Sequence, residues 1–475
     1  MREKPIILWF RHDLRLSDHQ ALVAASKTKR PIIPLYIYET HNTETPPMGR
    51  ASQWWLHHSL ISLEKGLQAC GSKLIKRSGP AREVLRDFCQ ETSAAGLYFH
   101  SSVLPGSSEL ENDLKHWAMK EGLDCQAFSG ELLFNPTAIT TKSGTPFKVF
   151  NPFWRACQKA SPLPQPLPPP QSLLSQKNWP KSESLKAWDL IPSTPNWAKG
   201  FSQEWHPGQT GAQKALQYFV SKNIANYHKA RDIPSINGTS RLSPHLHFGE
   251  ISVRSCWHQA KATGGGESFL RELAWREFCY HLLFHWPNLT EAPFKQEFTA
   301  FPWLENQTYI RAWQRGKTGY PIIDAGMQQL WQTGWMHNRV RMITGSFLVK
   351  NLMQHWHVGR DWFWDTLVDA DLANNSGGWQ WVAGSGADAA PYFRIFNPVT
   401  QSKKFDPDGT YIRRFLPALK TLPAPHIHDP TNAPAAALKQ AGITLGQTYP
   451  KAIVDLVSSR ENALAAYEQM RQKKE

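Results

Sequence analysis

Long apolar runs are missing from this sequence. None of its 475 residues lies in a stretch long enough to cross a bilayer, and the apolar run over residues 5–10 gives way to Arg11-His12-Asp13 too soon for a signal-peptide core. A membrane-embedded or exported chain is therefore not expected; the sequence reads as cytoplasmic, with no membrane partner. Cysteine is also scarce. Cys70, Cys89, Cys125, Cys157, Cys256 and Cys279 are widely spread with no C-x-x-C pair, which predicts reduced thiols and no metal centre. Negative charge is short as well: 39 Asp and Glu face 53 Lys and Arg, a formal net charge of +14. That excess suggests a polyanionic partner, and it equally suits a basic surface that serves only solubility. The G-x-G-x-x-G fingerprint is absent, because Arg11-His12-Asp13-Leu14-Arg15-Leu16 follows the first apolar run. No self-similar period recurs, which excludes a solenoid.

What is present divides along the chain. Short β-branched runs at residues 5–10, 31–38, 73–75, 96–100 and 125–128 alternate with amphipathic segments such as 51–67, where Trp54, Leu56, Leu60, Ile61 and Leu67 recur at near-helical spacing. Residues 1–130 are thus expected to form an α/β domain with a doubly wound parallel, Rossmann-like sheet. Residues 161–198 are rich in proline (Pro162, Pro164, Pro166, Pro168, Pro169, Pro170) and mark an interdomain linker within 131–203. From 204 to 475 helical patterning dominates, at 209–222, 251–261, 267–285, 322–332, 337–353 and 361–370. Tryptophan is abundant, with 21 residues where Leu, Ile and Val would fill a core more simply. Stacking on planar ligands or bases and single-electron transfer are two further uses for such rings.

Four segments carry candidate chemistry. Gly238-Thr239-Ser240-Arg241-Leu242-Ser243-Pro244 sets hydroxyls and a guanidinium before a helical stretch expected near Ile251, which suits a phosphate cradle and equally an ordinary capped turn. In Phe269-Leu270-Arg271-Glu272-Leu273-Ala274-Trp275-Arg276-Glu277-Phe278, Glu272 and Trp275 share one helix face, as they would in any amphipathic helix with a half-buried Trp. Asn338, Arg341 and Met342 stand at i, i+3 and i+4 of Gly334-Trp335-Met336-His337-Asn338-Arg339-Val340-Arg341-Met342. The run over residues 369–398 is the least like packing alone. Asp369, Asp371, Asn374, Asn375 and the pair Gly377-Gly378 precede Trp379 and Trp381, which predicts a close-approach backbone with polar groups beside large π surfaces, fit for a planar aromatic ligand.

These motifs resemble the photolyase/cryptochrome family, and specifically its class I cyclobutane pyrimidine dimer (CPD) photolyases, from Trp9-Phe10-Arg11-His12-Asp13-Leu14-Arg15-Leu16 to about Leu419. The resemblance implies light-driven repair of damaged DNA by electron transfer from reduced FAD (FADH−) to a flipped-out pyrimidine dimer, by a monomer. It implies cofactor contacts from Tyr227, Thr239, Ser240, Arg241, Leu242, Ser243, Arg341, Asp369, Ala370 and Asp371, with Asn375 facing flavin N5. The lesion pocket would take Glu272, Trp275, Asn338, Met342 and Trp381, where 6-4 photolyases carry His at the places of Asn338 and Met342. Arg231, Arg339, Arg394 and Gln401, with Lys403 and Lys404, would contact phosphates beside the flipped nucleotide. Trp379, Trp356 and Trp303 match the proximal, middle and exposed members of an electron-hopping chain, with core packing the lesser alternative for Trp356.

Two departures stand out. The chain has Asn374-Asn375-Ser376 where many relatives have Ala-Asn-Asn, and Thr290-Glu291 where folate-binding relatives have Cys-Lys. The antenna chromophore is accordingly left open between methenyltetrahydrofolate, a deazaflavin, another flavin and none. Rival readings are a cryptochrome-type photoreceptor, a 6-4 photolyase and a plain DNA-binding protein. Asn338, Met342, Trp275, Trp381 and Asn375 speak against the first two, and the Asp, Asn and Trp constellation against the third.

Overall fold

The computed structural model describes residues 3–39, 45–160, 162–388 and 393–472. Residue 161 of the Pro-rich segment and residues 389–392 of the 369–398 run lie outside the described residues. Contacts divide the chain into two compact units: Met1–Trp197 with Trp205–Ile224 and Ser240–Pro287, and Ala198–Glu204 with Ala225–Thr239 and Asn288–Glu475.

The first unit is built on five parallel strands, β1 Ile6–Phe10, β2 Ile32–Tyr38, β3 Ile75–Ser78, β4 Gly96–His100 and β5 Asp124–Phe128, in the order β3-β2-β1-β4-β5. The sheet is the doubly wound one expected. Every residue of β1 and β4 is buried, as in a parallel sheet covered on both faces, and this is why those strands read as unbroken apolar runs. β3 extends to Ser78, past the expected end at residue 75. Its continuation Lys76-Arg77-Ser78 is polar because the strand is an edge, and Lys76 reaches Glu64 at 3.0 Å.

Residues 205–224 and 240–287 read from their patterning as part of the helical domain, yet they pack with the α/β residues. The indole of Trp55 explains part of this: its ring meets Trp205 at 5.4 Å and Phe248 at 6.2 Å, and its N–H donates to Glu250 at 3.0 Å.

The second unit is helical. Its core joins Trp313, Ile323, Met336, Phe347, Trp356, Phe363, Trp379 and Tyr411. The helix expected over 337–353 runs as Asn338–Ser346 and then opens into a π turn, Phe347–Asn351. The helix expected over 361–370 is displaced to Trp356–Thr366, since Asp371 begins a further helix, Leu372–Ala383. Gly377 and Gly378 both lie inside this further helix, and a Cβ on Gly378 would meet nothing within 4 Å. Two interior glycines cost a helix about 1 kcal/mol each, so tertiary packing of Leu372, Ala373, Ser376, Trp379 and Gln380 must hold it. No helix among the described residues is long and apolar enough to cross a membrane.

Candidate functional site

In the second unit, two helix starts bring five of the candidate cofactor residues together: Arg341, Asp369, Ala370, Asp371 and Asn375. His337 caps Asn338–Ser346 by accepting the Arg339 N–H on Nδ1 at 3.2 Å, and its own N–H donates to Gln329 Oε1 at 3.1 Å. Burial pushes the His337 imidazole down to about 4, so it stays neutral and keeps that acceptor. From this helix Arg341 forks onto Asp369, with Nη2 at 3.0 and 2.8 Å from the two carboxylate oxygens, while its Nε donates to the Met336 carbonyl at 2.7 Å. Asp369 is buried, so the guanidinium supplies the partner that a buried carboxylate requires. Ala370 is buried beside it, and Asp371 caps Leu372–Ala383 by accepting the Asn374 N–H at 2.8 Å. One turn on, Asn375 donates its side-chain amide to the Arg360 carbonyl at 3.0 Å, which orients it.

Trp379 is buried in the same helix. Its ring meets Phe363 at 5.0 Å and Trp313 at 6.1 Å, both edge-on, and it lies against Gly359, where a Cβ would sit 2.0 Å from ring atom Cη2. Trp356 is fully buried, with the Arg360 guanidinium 5.4 Å from its ring centroid. Trp303 is half-buried and packs on Phe301 at 4.4 Å. Asn338 is exposed, and Met342 and Trp381 are half-buried.

Among the expected phosphate contacts of this unit, Arg339 links the segment carrying Arg231 to the helix carrying Gln401. Arg339 is engaged by Asp232 through Nη2 at 2.8 Å and Nε at 3.2 Å, with its guanidinium 4.5 Å from the Phe405 ring centroid. Arg231 stands 5.5 Å over the Tyr227 ring, Arg394 is exposed near Phe396, and Gln401 lies on the helix Pro398–Phe405. Thr239 ends the segment that carries Tyr227.

The first unit holds the remaining candidates. Ser240 accepts the Leu242 N–H at 3.4 Å, Arg241 takes a left-handed φ of 51° with its guanidinium 4.2 Å from the Trp205 ring, a short helix Ser243–His247 follows at once, and the helix expected near Ile251 runs over Val253–Ala262. Glu272 and Trp275 share the helix Glu267–His285, as expected. Trp275 lies flat on Phe150, with centroids 3.8 Å apart and planes 6° from parallel. Phe150 escaped the sequence reading because nothing local ties it to Trp275; the aromatic density of Phe150-Asn151-Pro152-Phe153-Trp154 was the available signal. On the same helix Glu277 is buried and accepts the backbone N–H of Leu133 at 2.7 Å and of Phe134 at 3.2 Å, and burial pushes its carboxyl up to about 7.

Asp13, His19 and His100, from the region of the absent dinucleotide fingerprint, have ligand-like spacing, all buried. His19 Nδ1 accepts the Leu22 N–H at 3.1 Å, and its Nε2 lies 3.0 Å from Asp13 Oδ2. His100 Nδ1 lies 2.8 Å from the same oxygen. All six cysteines are free thiols.

Comparisons with known proteins match this build. Residues 6–171 fit the family model of DNA photolyase, and residues 269–469 that of the FAD binding domain of DNA photolyase. Deoxyribodipyrimidine photo-lyase of Agrobacterium fabrum is 50% identical over 98% of both chains. The crystal structure of a bacterial class III photolyase from Agrobacterium tumefaciens superposes with a TM-score of 0.96 at 49% identity, covering 99% of this chain and 98% of that one. Cryptochrome-1 of Arabidopsis thaliana is 37% identical over 98% of this chain and 70% of its own length. The chain belongs to the photolyase/cryptochrome family and carries that family's FAD-binding domain.

Proposed function

We propose that this chain is a photo-lyase that splits cyclobutane pyrimidine dimers in DNA. The observation that carries the reading is the Arg341–Asp369 fork set beside the Asp371-capped helix that bears Asn375 and Trp379. A guanidinium, two carboxylates and an oriented amide, brought together by the Arg341–Asp369 pair, provide the donors and acceptors that the polar edge of a flavin needs, so the residues fit FAD. When bound, reduced FAD supplies the photoexcited electron.

Arg341, Asp369, Ala370, Asp371 and Asn375 would hold the ring system, and Tyr227 with Thr239, Ser240, Arg241, Leu242 and Ser243 the diphosphate. Glu272, Trp275, Asn338, Met342 and Trp381 would position the lesion. Trp275 is pre-set for stacking because Phe150 backs one of its faces. Arg231, Arg339, Arg394 and Gln401 would contact the DNA backbone, Arg339 after sharing or leaving Asp232. Trp303, Trp356 and Trp379 would conduct electrons inward. The near full-length likeness to a photo-lyase, greater than that to the plant cryptochrome, favours repair over signalling. These relatives do not support the class I expectation: the one whose subclass is stated is class III, and class III is the subclass we propose.

Blue-light incubation of the FAD-loaded, reduced protein with oligonucleotides carrying either lesion tests the reading. Loss of the cyclobutane dimer alone is expected. Repair of only the 6-4 lesion would reverse the substrate, and repair of neither by a photochemically competent flavoprotein would favour the photoreceptor.

A further inference from the structure

His355 is held from two sides. Its Nδ1 accepts the His357 N–H at 3.2 Å and so caps the helix Trp356–Thr366. Its ring centroid lies 5.2 Å from that of Trp303, edge-on at 72°, and 5.7 Å from that of Trp356, nearly parallel at 27°. The neighbouring backbone fixes this arrangement. The Leu304 N–H donates to the Met353 carbonyl at 2.8 Å and the Asn306 N–H to Gln354 Oε1 at 3.0 Å, so the segment carrying Trp303 is tied to the residues just before His355.

We propose that His355 is a positioning residue of the outer electron step, an aromatic bridge that keeps Trp303 and Trp356 in electronic contact. This inference rests on the reading of Trp303, Trp356 and Trp379 as an electron chain. In the step concerned, one electron leaves Trp303 and fills the vacancy on Trp356, which has itself given one electron to Trp379; no proton need move, and an added thiol restores Trp303. The ring is suited to the task because it carries no charge at neutral pH. With Nδ1 spent as an acceptor, the single ring proton is on Nε2, and burial pushes the imidazole down to about 4. A cation between the two indoles would oppose a positive vacancy on either.

Two variants of the FAD-loaded full chain separate bridging from capping. His355→Asn retains a good cap acceptor but removes the ring, whereas His355→Phe keeps a ring and removes the cap. With dithiothreitol as reductant, transient absorption should show that His355→Asn loses the long-lived Trp303 radical and that His355→Phe regains it. A wild-type yield in His355→Asn overturns the inference, as does failure of His355→Phe to restore the signal in a protein whose melting curve shows it folded. Trp356→Phe serves as the control: undiminished flavin photoreduction there rejects the electron chain itself, while a loss there with wild-type behaviour in His355→Asn rejects only the part given to His355.

Discussion

The α/β unit and the helical unit bury polar groups to different ends. In the first, buried charges close on themselves: Asp13 is satisfied by His100 and the Arg11 backbone N–H, Arg15 by the carbonyls of Asp18, Gly130 and Gly249, and Asp18 by Arg254. The apolar core of that unit, centred on Ile7, Ile33, Leu97 and Phe99, carries no candidate chemistry. In the helical unit Trp356 and Trp379 belong to the same core as Ile323 and Phe347, and the buried carboxylate Asp369 is a proposed cofactor contact. Where core and candidate site share atoms, a single substitution should disturb stability and photochemistry together; in the sheet core, which carries none of the candidate residues, it should disturb stability alone.

The two buried ion pairs give the largest test of that contrast. Arg254→Met and Arg341→Met each strand a nearly buried carboxylate, Asp18 or Asp369, and each should cost about 3 kcal/mol in urea unfolding. Only Arg341→Met should also release flavin, read by absorbance after gel filtration. Equal flavin retention in the two variants would erase the distinction.

Two glycines offer a second pairing. A Cβ at Gly96 would lie 2.6 Å from the Asp124 carbonyl oxygen, and one at Gly359 would lie 2.0 Å from the Trp379 ring. Alanine at either position should destabilise by about 1–3 kcal/mol through overpacking. Photoreduction of the folded fraction should survive in Gly96→Ala and fail in Gly359→Ala. Trp379→Phe should likewise block photoreduction, yet leave repair by chemically pre-reduced protein largely intact, because the chain and the lesion pocket have separate duties.

The smallest effect is expected at a cap. Asp371→Ala removes the acceptor for the Asn374 N–H and should cost about 1 kcal/mol, seen as a modest drop in melting temperature. A simultaneous red or blue shift of the flavin spectrum would sharpen the comparison, since loss of an ordinary surface cap would leave the cofactor untouched.

Legibility in the sequence followed the same division. β1, β2 and β4 could be read directly because a sheet buried on both faces writes itself as an apolar run. The polar end of β3 could not, because an edge strand need not be apolar. The helix Leu372–Ala383 was hidden by Gly377-Gly378, whose cost is met by long-range packing that no local window contains. Among the candidate site residues, those on one helix face, Asn338 with Arg341 and Met342, followed from spacing. Partners from distant segments, Phe150 under Trp275, Asp232 on Arg339 and Gly359 under Trp379, had no local signature.

Imidazole caps give the helical unit a chemical fuse. His337 and His355 start the helices that bear Arg341 and Trp356, and each does so through a lone pair that a proton would occupy. Both are pushed down by burial to about 4 from an ordinary value of 6.5, so unfolded chains bind these protons first. Their contribution to stability is whole above about 6.5 and drains away as the pH falls towards 4. Acidification therefore acts like a pair of reversible cap deletions, loosening these two helix starts as the pH falls towards 4.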